Sequence, residues 1–437
     1  MNEEMSALAR AARQASFRLA ATDSTARSAL LTSIAEALVA GKEMVFEANR
    51  ADVEAAKKDG IAEQLIHRLV FDEHKLQDVV AGLRALAEMP DPIHRMLRDT
   101  ELADGLRLRQ VTCPIGVIGV IFESRPDALV QIAGLCLKSG NAVLLKGGIE
   151  ALRTNQALYE IIRGETIRTA FPAVDWIGFL KSREEVTEML RLDDLIDLII
   201  PRGSNAFVKY IMDNTRIPVL GHSSGICHVY LDRTAKPQMA ASIAVDAKTQ
   251  YPAACNAAET LLVHSGASEA LICACRALKT AGVHLKADLR AAAILSADGI
   301  ETASVSEPDY SHEYGGLTMN VHMVDSLDEA IDHINRYGSH HTDCIVTEDA
   351  AAAAHFEALV DSAGVYHNCS TRFADGYRYG FGAEVGISTG KIHARGPMGL
   401  DGLCSYKFVL SGSGDCVADF ASGRRTFTHI NRMEQQS

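Results

Sequence analysis

A chain of 437 residues, 47% hydrophobic and 23% charged, suits two or three folded domains and excludes a disordered protein. Its net charge of −13 speaks against the phosphate backbone of a nucleic acid as partner. No apolar run approaches the roughly 18 residues that span a bilayer, and the acidic start lacks a signal peptide's basic flank, so no membrane contact is expected and the chain reads as cytoplasmic, with its cysteines reduced.

Residues 3–20, 26–58 and 61–88 repeat small and apolar side chains at helical spacing, and Met89-Pro90-Asp91-Pro92 stops them, so the chain opens with a helical layer. The texture then changes. Leu106–Val111 alternates like a half-exposed strand, and Val117–Phe122 is a continuous apolar run, as in a strand buried on both faces. Glu123-Ser124-Arg125-Pro126 follows and opens a helix, with Pro126 suited to the first turn. Strands are expected again at 142–145, 176–180 and 197–200. Helices are expected at 150–170 and 182–191, with another after the turn 201–204. Such alternation marks a parallel sheet covered by helices, which takes ligands at the carboxyl ends of its strands. The loops 123–126, 146–148 and 201–204 lie at such ends.

A second series follows the flexible junction Gly221–Gly225. Strands are expected at 227–231, 260–263, 319–324 and 344–346, and helices at 236–248, 267–281, 326–337 and 350–361. Beyond residue 364 periodicity weakens, and 370–402 reads as a long loop system. A strand at 405–410 is expected to end the ordered part, ahead of a polar tail. The fold class is therefore α/β, with two domains and Cys255 near their cleft.

Pro252 bars a regular helix ahead of Cys255, and Ala253 and Ala254 leave room for a ligand to reach the sulfur. A thiolate there can attack a carbonyl carbon and hold a thioester. The other reading is a small core residue, as most cysteines are. Lys146-Gly147-Gly148 can bring an ammonium and bare backbone to a ribose or phosphate, or be a solvated strand end. Gly203-Ser204 can present amides to a diphosphate, or simply cap a helix. Ser124 and Arg125 can serve an oxyanion and an anion, or be a cap and a surface charge. Arg372 and Arg395 are further loop arginines with the same two readings. Cys273-Ala274-Cys275 has no matching second pair and His340-His341 lacks helical metal spacing, so no metal site is expected and both histidines read as surface. No G-x-G-x-x-G follows a strand.

Several long runs in order resemble the gamma-glutamyl phosphate reductase family of the aldehyde dehydrogenase superfamily. They are Val117–Pro126, Leu135–Gly148, Leu198–Gly203, Ala247–Gln250 with Cys255-Asn256, Glu259–Val263, Ser370–Phe373, Gly382–Val385 and His393–Leu400. The resemblance implies an aldehyde dehydrogenase-like fold. A Rossmann-type NADPH-binding domain would cover residues 1–225 and an α/β catalytic domain 226–398. A small β oligomerisation extension would join 98–112 to a strand within 399–437. It also implies reduction of L-glutamate 5-phosphate to L-glutamate 5-semialdehyde plus phosphate, the second step of proline biosynthesis. The enzyme would be a homo-oligomer, dimer or tetramer. A transient contact with glutamate 5-kinase would suit hand-over of the labile acyl phosphate, although no motif marks it.

By matching position, Cys255 would be the nucleophile and Lys146 would hold the adenosine ribose or 2′-phosphate. Gly203 and Ser204 would lie against the diphosphate, and Glu313 against the nicotinamide ribose. Ser124 or Asn256 would join the Cys255 backbone N–H at the oxyanion, and Arg125, Arg372 or Arg395 would hold the substrate's anionic groups. The water-activating glutamate of hydrolytic aldehyde dehydrogenases is missing from Leu220–Gly225, as suits a substrate whose phosphate leaves unaided. Lys248 and His222 are the candidates for activating the thiol.

Overall fold

The computed structural model describes residues 3–433, apart from Ser124 and Ser223. Five helices come first: α1 (Glu3–Ala21), α2 (Ser24–Ala40), α3 (Lys42–Lys58), α4 (Glu63–Leu69) and α5 (Glu73–Glu88). The helix expected over 26–58 is two, because the chain turns at Gly41, where a Cβ would sit 2.8 Å from the Ile161 side chain. Asp23 and Asp72 cap α2 and α5 by accepting the backbone N–H of Ala26 and Lys75, which satisfies donors that a helix start leaves free. Leu30, Leu31, Ile34 and Leu38 form the apolar stripe that α2 turns into the first core.

An antiparallel pair, β1 (Met96–Ala103) and β2 (Leu106–Pro114), leads into an alternating series. The series is β3 (Val117–Ile121), α6 (Pro126–Lys138), β4 (Ala142–Lys146), α7 (Leu152–Arg168), β5 (Ile177–Leu180), α8 (Arg183–Met189), β6 (Leu198–Pro201) and α9 (Asn205–Asp213). Its strands form a parallel sheet in the order β5-β4-β3-β6, extended by a parallel bridge from Ile199 to Val219. All four strands are buried from end to end, which is why they read as apolar runs rather than as alternation. Asp197 ties the sheet to α1: it accepts from both terminal nitrogens of Arg13, at 2.6 and 2.9 Å, and from the Val117 N–H at 2.8 Å.

The second series is β7 (Cys227–Leu231), α10 (Pro237–Thr249), β8 (Ala258–His264), α11 (Ser268–Thr280), β9 (His284–Ala287), α12 (Leu289–Ala297), β10 (Ala303–Ser304), β11 (Thr318–Val324), α13 (Leu327–Tyr337), β12 (Thr342–Val346), α14 (Ala350–Leu359) and β13 (Gly364–His367). It forms a seven-stranded parallel sheet in the order β10-β9-β11-β8-β7-β12-β13. The sequence pattern shows β7, β8, β11 and β12 but not β9, β10 or β13. These three are short strands at or next to the sheet's edges, with exposed or half-exposed positions, so they lack the unbroken apolar run.

The loop region after β13 holds one small ladder, β14 (Ile387–Ser388) with β15 (Gly396–Pro397). The chain then forms β16 (Cys404–Ser411), α15 (Val417–Ala421) and β17 (Ile430–Asn431). The ordered part therefore does not end at residue 410. Phe420 stacks on Phe427 at 4.3 Å, and β17 joins the edge of an antiparallel sheet in the order β16-β2-β1-β17. Tyr406, Phe408 and Leu410 of β16 project from one face and are exposed. Among the described residues, no helix is long and apolar enough to cross a membrane.

In the second core, Phe356 of α14 is fully buried and stacks on Tyr230 of β7. Phe356→Ala is expected to lower the unfolding free energy by about 3–5 kcal/mol, read from the urea midpoint at unchanged slope. A loss below about 1 kcal/mol would show that this layer repacks around the cavity.

Candidate active site

A cavity of about 1100 Å³ opens between the carboxyl end of β6 and the loop that precedes the amino end of β8. Pro201, Arg202, Gly203 and Asn205 line it from the first series, and Tyr251–Asn256 from the second. Arg68, Lys75, Arg125, Arg202 and Arg372 face it against three carboxylates, Glu313, Asp375 and Glu384. An acidic protein has thus gathered positive charge in one cleft, which favours a small anionic ligand.

Cys255 is half-buried on the cavity wall. Its loop is closed by two turn hydrogen bonds, Ala254 N–H to Tyr251 O at 3.1 Å and Ala257 N–H to Ala254 O at 2.9 Å. The junction presses on this loop from behind. A Cβ on Gly225 would lie 2.2 Å from the Cys255 carbonyl oxygen and 2.5 Å from its Cα, so only glycine fits. The Cys227 thiol donates to the same carbonyl at 3.4 Å.

His341 is the neighbour that sequence reasoning missed. It is 1% exposed, so the expected surface placement is corrected, and its Nε2 lies 3.2 Å from Cys255 Sγ. Its Nδ1 is 2.9 Å from Thr342 Oγ1. The adjacent His340 takes a left-handed backbone, φ 58°, and turns outward to the Asp361 carbonyl. One residue of that conformation separates the inward histidine from the outward one. Strand order does the rest: β8, β7 and β12 are neighbours, so residues just ahead of β8 and β12 meet across β7.

His222 completes the surroundings of the sulfur. Its ring meets that of His341 edge-on at 5.2 Å, and its Nδ1 is 3.0 Å from the Ile387 carbonyl oxygen. Lys248, the other candidate for activating the thiol, is engaged elsewhere. It forms a fully buried ion pair with Glu259 at 2.6 Å, where burial pushes the lysine's pKa down and the carboxyl's up.

Asn256 is buried, with its side chain engaged at both ends: Nδ2 donates to Ala374 O at 2.7 Å and Oδ1 accepts from Arg372. Arg372 also donates to Gln250 Oε1 at 2.9 Å. It is a buried brace with one face on the cavity, and burial lowers its pKa. Arg125 lines the cavity and pairs with Asp127 at 2.9 Å. Arg395 is not brought there; its guanidinium holds Asp361 at 3.0 Å. Ser124 lies outside the described residues. Arg202 and Glu384 are cavity groups that had not been singled out. Glu384 accepts the Gly376 N–H at 2.8 Å, and burial raises its pKa. Its run, Gly382–Val385, was the only signal for it in the sequence.

The loops at the carboxyl ends of β4 and β6 form a cradle that side chains would fill. A Cβ on Gly147 would fall 2.1 Å from Asn155 Nδ2, one on Gly148 2.0 Å from the Glu150 carboxylate, and one on Gly203 3.0 Å from the Glu123 carboxyl. Lys146 is buried between these loops, its Nζ 2.6 Å from Gly147 O. Ser204 caps α9, accepting the Phe207 N–H at 3.4 Å. Glu313 accepts from Asn205 Nδ2 at 2.7 Å and from the Gly225 N–H at 2.9 Å, linking the first series to the junction behind Cys255. Bare backbone, an ammonium and a helix start at strand ends fit a nucleotide.

No family model matches the chain. Individual relatives do. The chain is 54% identical over 427 residues to the gamma-glutamyl phosphate reductase of Pelotomaculum thermopropionicum, covering 98% of this chain and 97% of that one. It is 50% identical over 434 residues to that of Synechococcus elongatus, covering 99% of each. Among solved structures, the gamma-glutamyl phosphate reductase of Thermotoga maritima has a TM-score of 0.91 at 37% identity, over 94% of this chain and 99% of that one. An acetylating aldehyde dehydrogenase of Geobacillus thermoglucosidasius shares the fold, with a TM-score of 0.65 at 17% identity over 95% and 97%. The aldehyde dehydrogenase-like α/β fold expected from the sequence is the one observed.

Gly225→Ala is expected to push the Cys255 loop by about 1 Å and to lower any Cys255-dependent turnover about a hundredfold. Turnover, with circular dichroism as the control for folding, checks this. Activity within threefold of the parent would show that the loop yields freely.

Proposed function

This chain belongs to the gamma-glutamyl phosphate reductase family, oxidoreductases that reduce glutamyl phosphate in proline biosynthesis, and we propose that it does so with NADPH through a thioester on Cys255. The observation that carries this reading is the 3.2 Å approach of His341 Nε2 to Cys255 Sγ on the wall of a cation-lined cavity.

In the tautomer that points its Nδ1 hydrogen at Thr342 Oγ1, His341 presents Nε2 as the base and takes the thiol proton as Cys255 attacks the γ-carbonyl. The carbon–sulfur bond forms and the bond to the phosphate oxygen breaks. The proton on His341 passes to the departing phosphate. The Cys255 backbone N–H serves the oxyanion; one such donor is typically worth about 3–4 kcal/mol. Asn256 secures the loop through Ala374 and Arg372. Arg125, Arg202 and Arg372 offer guanidinium groups to the substrate's phosphate and α-carboxylate. Glu384 offers a carboxylate to its α-ammonium.

Lys146, Gly203, Ser204 and Glu313 would hold NADPH, which would supply the hydride for the thioester carbonyl. His341 then receives the released thiolate in the same contact. No side chain is needed to activate water, because phosphate leaves readily and hydrolysis would waste the thioester. The exposed Tyr406, Phe408 and Leu410 on the β16 edge support a homo-oligomer that covers them.

Phosphate-dependent reduction of NADP⁺ with pyrroline-5-carboxylate tests the reaction. Reduction that proceeds equally without phosphate would assign a water-using aldehyde dehydrogenase instead. Cys255→Ser is expected to lose more than about a thousandfold in turnover while still binding NADPH, and His341→Gln about a hundred- to a thousandfold. Near-normal turnover in either variant removes that residue from the mechanism. Arg372→Ala is expected to raise KM for glutamyl phosphate more than it lowers kcat; an unchanged KM moves the anion to Arg125 or Arg202.

A further inference from the structure

The proposed reaction needs one imidazole beside the thiol, yet the structure supplies two. His222, His341 and Cys255 each place one ligand atom within 4.8 Å of the other two, and the closest pair, His341 Nε2 and Cys255 Sγ, is at 3.2 Å. A tetrahedral zinc ion holds a thiolate and an imidazole nitrogen about 3.5 Å apart, so a small ring adjustment closes the trio. The second shell is already in place. His222 Nδ1 faces the Ile387 carbonyl, which can only accept, so a neutral ring carries its hydrogen on Nδ1 and offers Nε2 as the ligand atom. His341 has its Nδ1 against the Thr342 hydroxyl, and the tautomer with its hydrogen on Nδ1 likewise offers Nε2 to the metal.

We infer that Cys255, His222 and His341 form a three-ligand site for Zn²⁺ that reversibly caps the nucleophile. Binding breaks the S–H bond, forms a sulfur–zinc bond and releases one proton. One thiolate and two neutral imidazoles select zinc over magnesium or calcium, which take oxygen ligands. The fourth position faces the cavity, where water, phosphate or a carboxylate completes the shell. The cationic lining opposes a dication, so the site binds less tightly than a closed structural zinc site and releases its metal to a chelator. Metal capping of this kind silences the enzyme without consuming the thiol.

The test uses the full chain, stripped with a chelator and titrated with CoCl₂, whose thiolate-to-metal charge-transfer absorption reports sulfur ligation directly. Expected are one equivalent of Co²⁺ with that absorption and its displacement by ZnCl₂. Loss of turnover on adding Zn²⁺ and recovery with EDTA are expected alongside. The absorption should vanish in Cys255→Ser, and Co²⁺ should bind at least about tenfold more weakly in His222→Asn. Absorption that persists in Cys255→Ser, or unchanged affinity in His222→Asn, overturns the site, with circular dichroism showing that both variants are folded. The readout needs no turnover. An enzyme that reduces glutamyl phosphate but binds no Co²⁺ overturns the metal site alone, whereas one that binds Co²⁺ through Cys255 without reducing glutamyl phosphate overturns only the proposed reaction.

Discussion

The contact on which the site depends is between backbones: Gly225 lies against Cys255 so closely that no Cβ fits between them. That approach fixes the Cys255 loop from behind, at the point where the chain leaves one parallel sheet and enters the next. It also places the Gly225 N–H on Glu313, so the junction, the cysteine loop and the start of α9 are held as one unit. Across β7 the same geometry sets the His341 ring against the thiol, with Nε2 at 3.2 Å. A nucleophile held on both sides needs little reorganisation before it reacts, and positioning of this kind is among the larger contributions an enzyme can make.

Around that contact, charge is sorted by burial. The Lys248–Glu259 pair is fully out of water, where desolvation opposes both charges and their mutual attraction, with the Gly315 N–H on Glu259, offsets it. It stiffens the end of α10 against β8 and keeps a lysine away from the sulfur. Arg372 is likewise partly spent on structure, through Gln250 and Asn256, which leaves its planar group oriented rather than mobile. The cavity thus combines oriented cations with a half-buried thiol, and the remaining acids sit where they offset part of that charge.

Much of the fold was legible because its main strands are buried on both faces. Val117–Ile121 and residues 142–145 are unbroken apolar runs, Cys227–Leu231 is broken only by His228, and such runs separated by helical periodicity admit few arrangements. The short outer strands β9, β10 and β13 were not legible, since half-exposed strands of two to four residues carry no pattern that survives their polar positions. The tail 421–437 read as polar because most of its side chains are; what orders it is tertiary, the stack of Phe427 on Phe420 and the pairing of Ile430 and Asn431 with β1.

By itself the sequence determined the α/β class and the two series with their junction; it offered Cys255 as a candidate whose local pattern left a core role open, and only the family resemblance singled it out. Its long ordered runs also determined the family. Tertiary structure alone decided the company that Cys255 keeps. His341 stands 86 positions away and next to a histidine that turns outward, so neither spacing nor residue type marks it. Strand order brings it in, and one left-handed residue aims it. In the same way Arg372 and Arg395 look alike as loop arginines. They part only because one finds Asn256 at the cavity and the other finds Asp361 outside it. Local chemistry is written in neighbours along the chain, whereas a site is made by neighbours across a sheet.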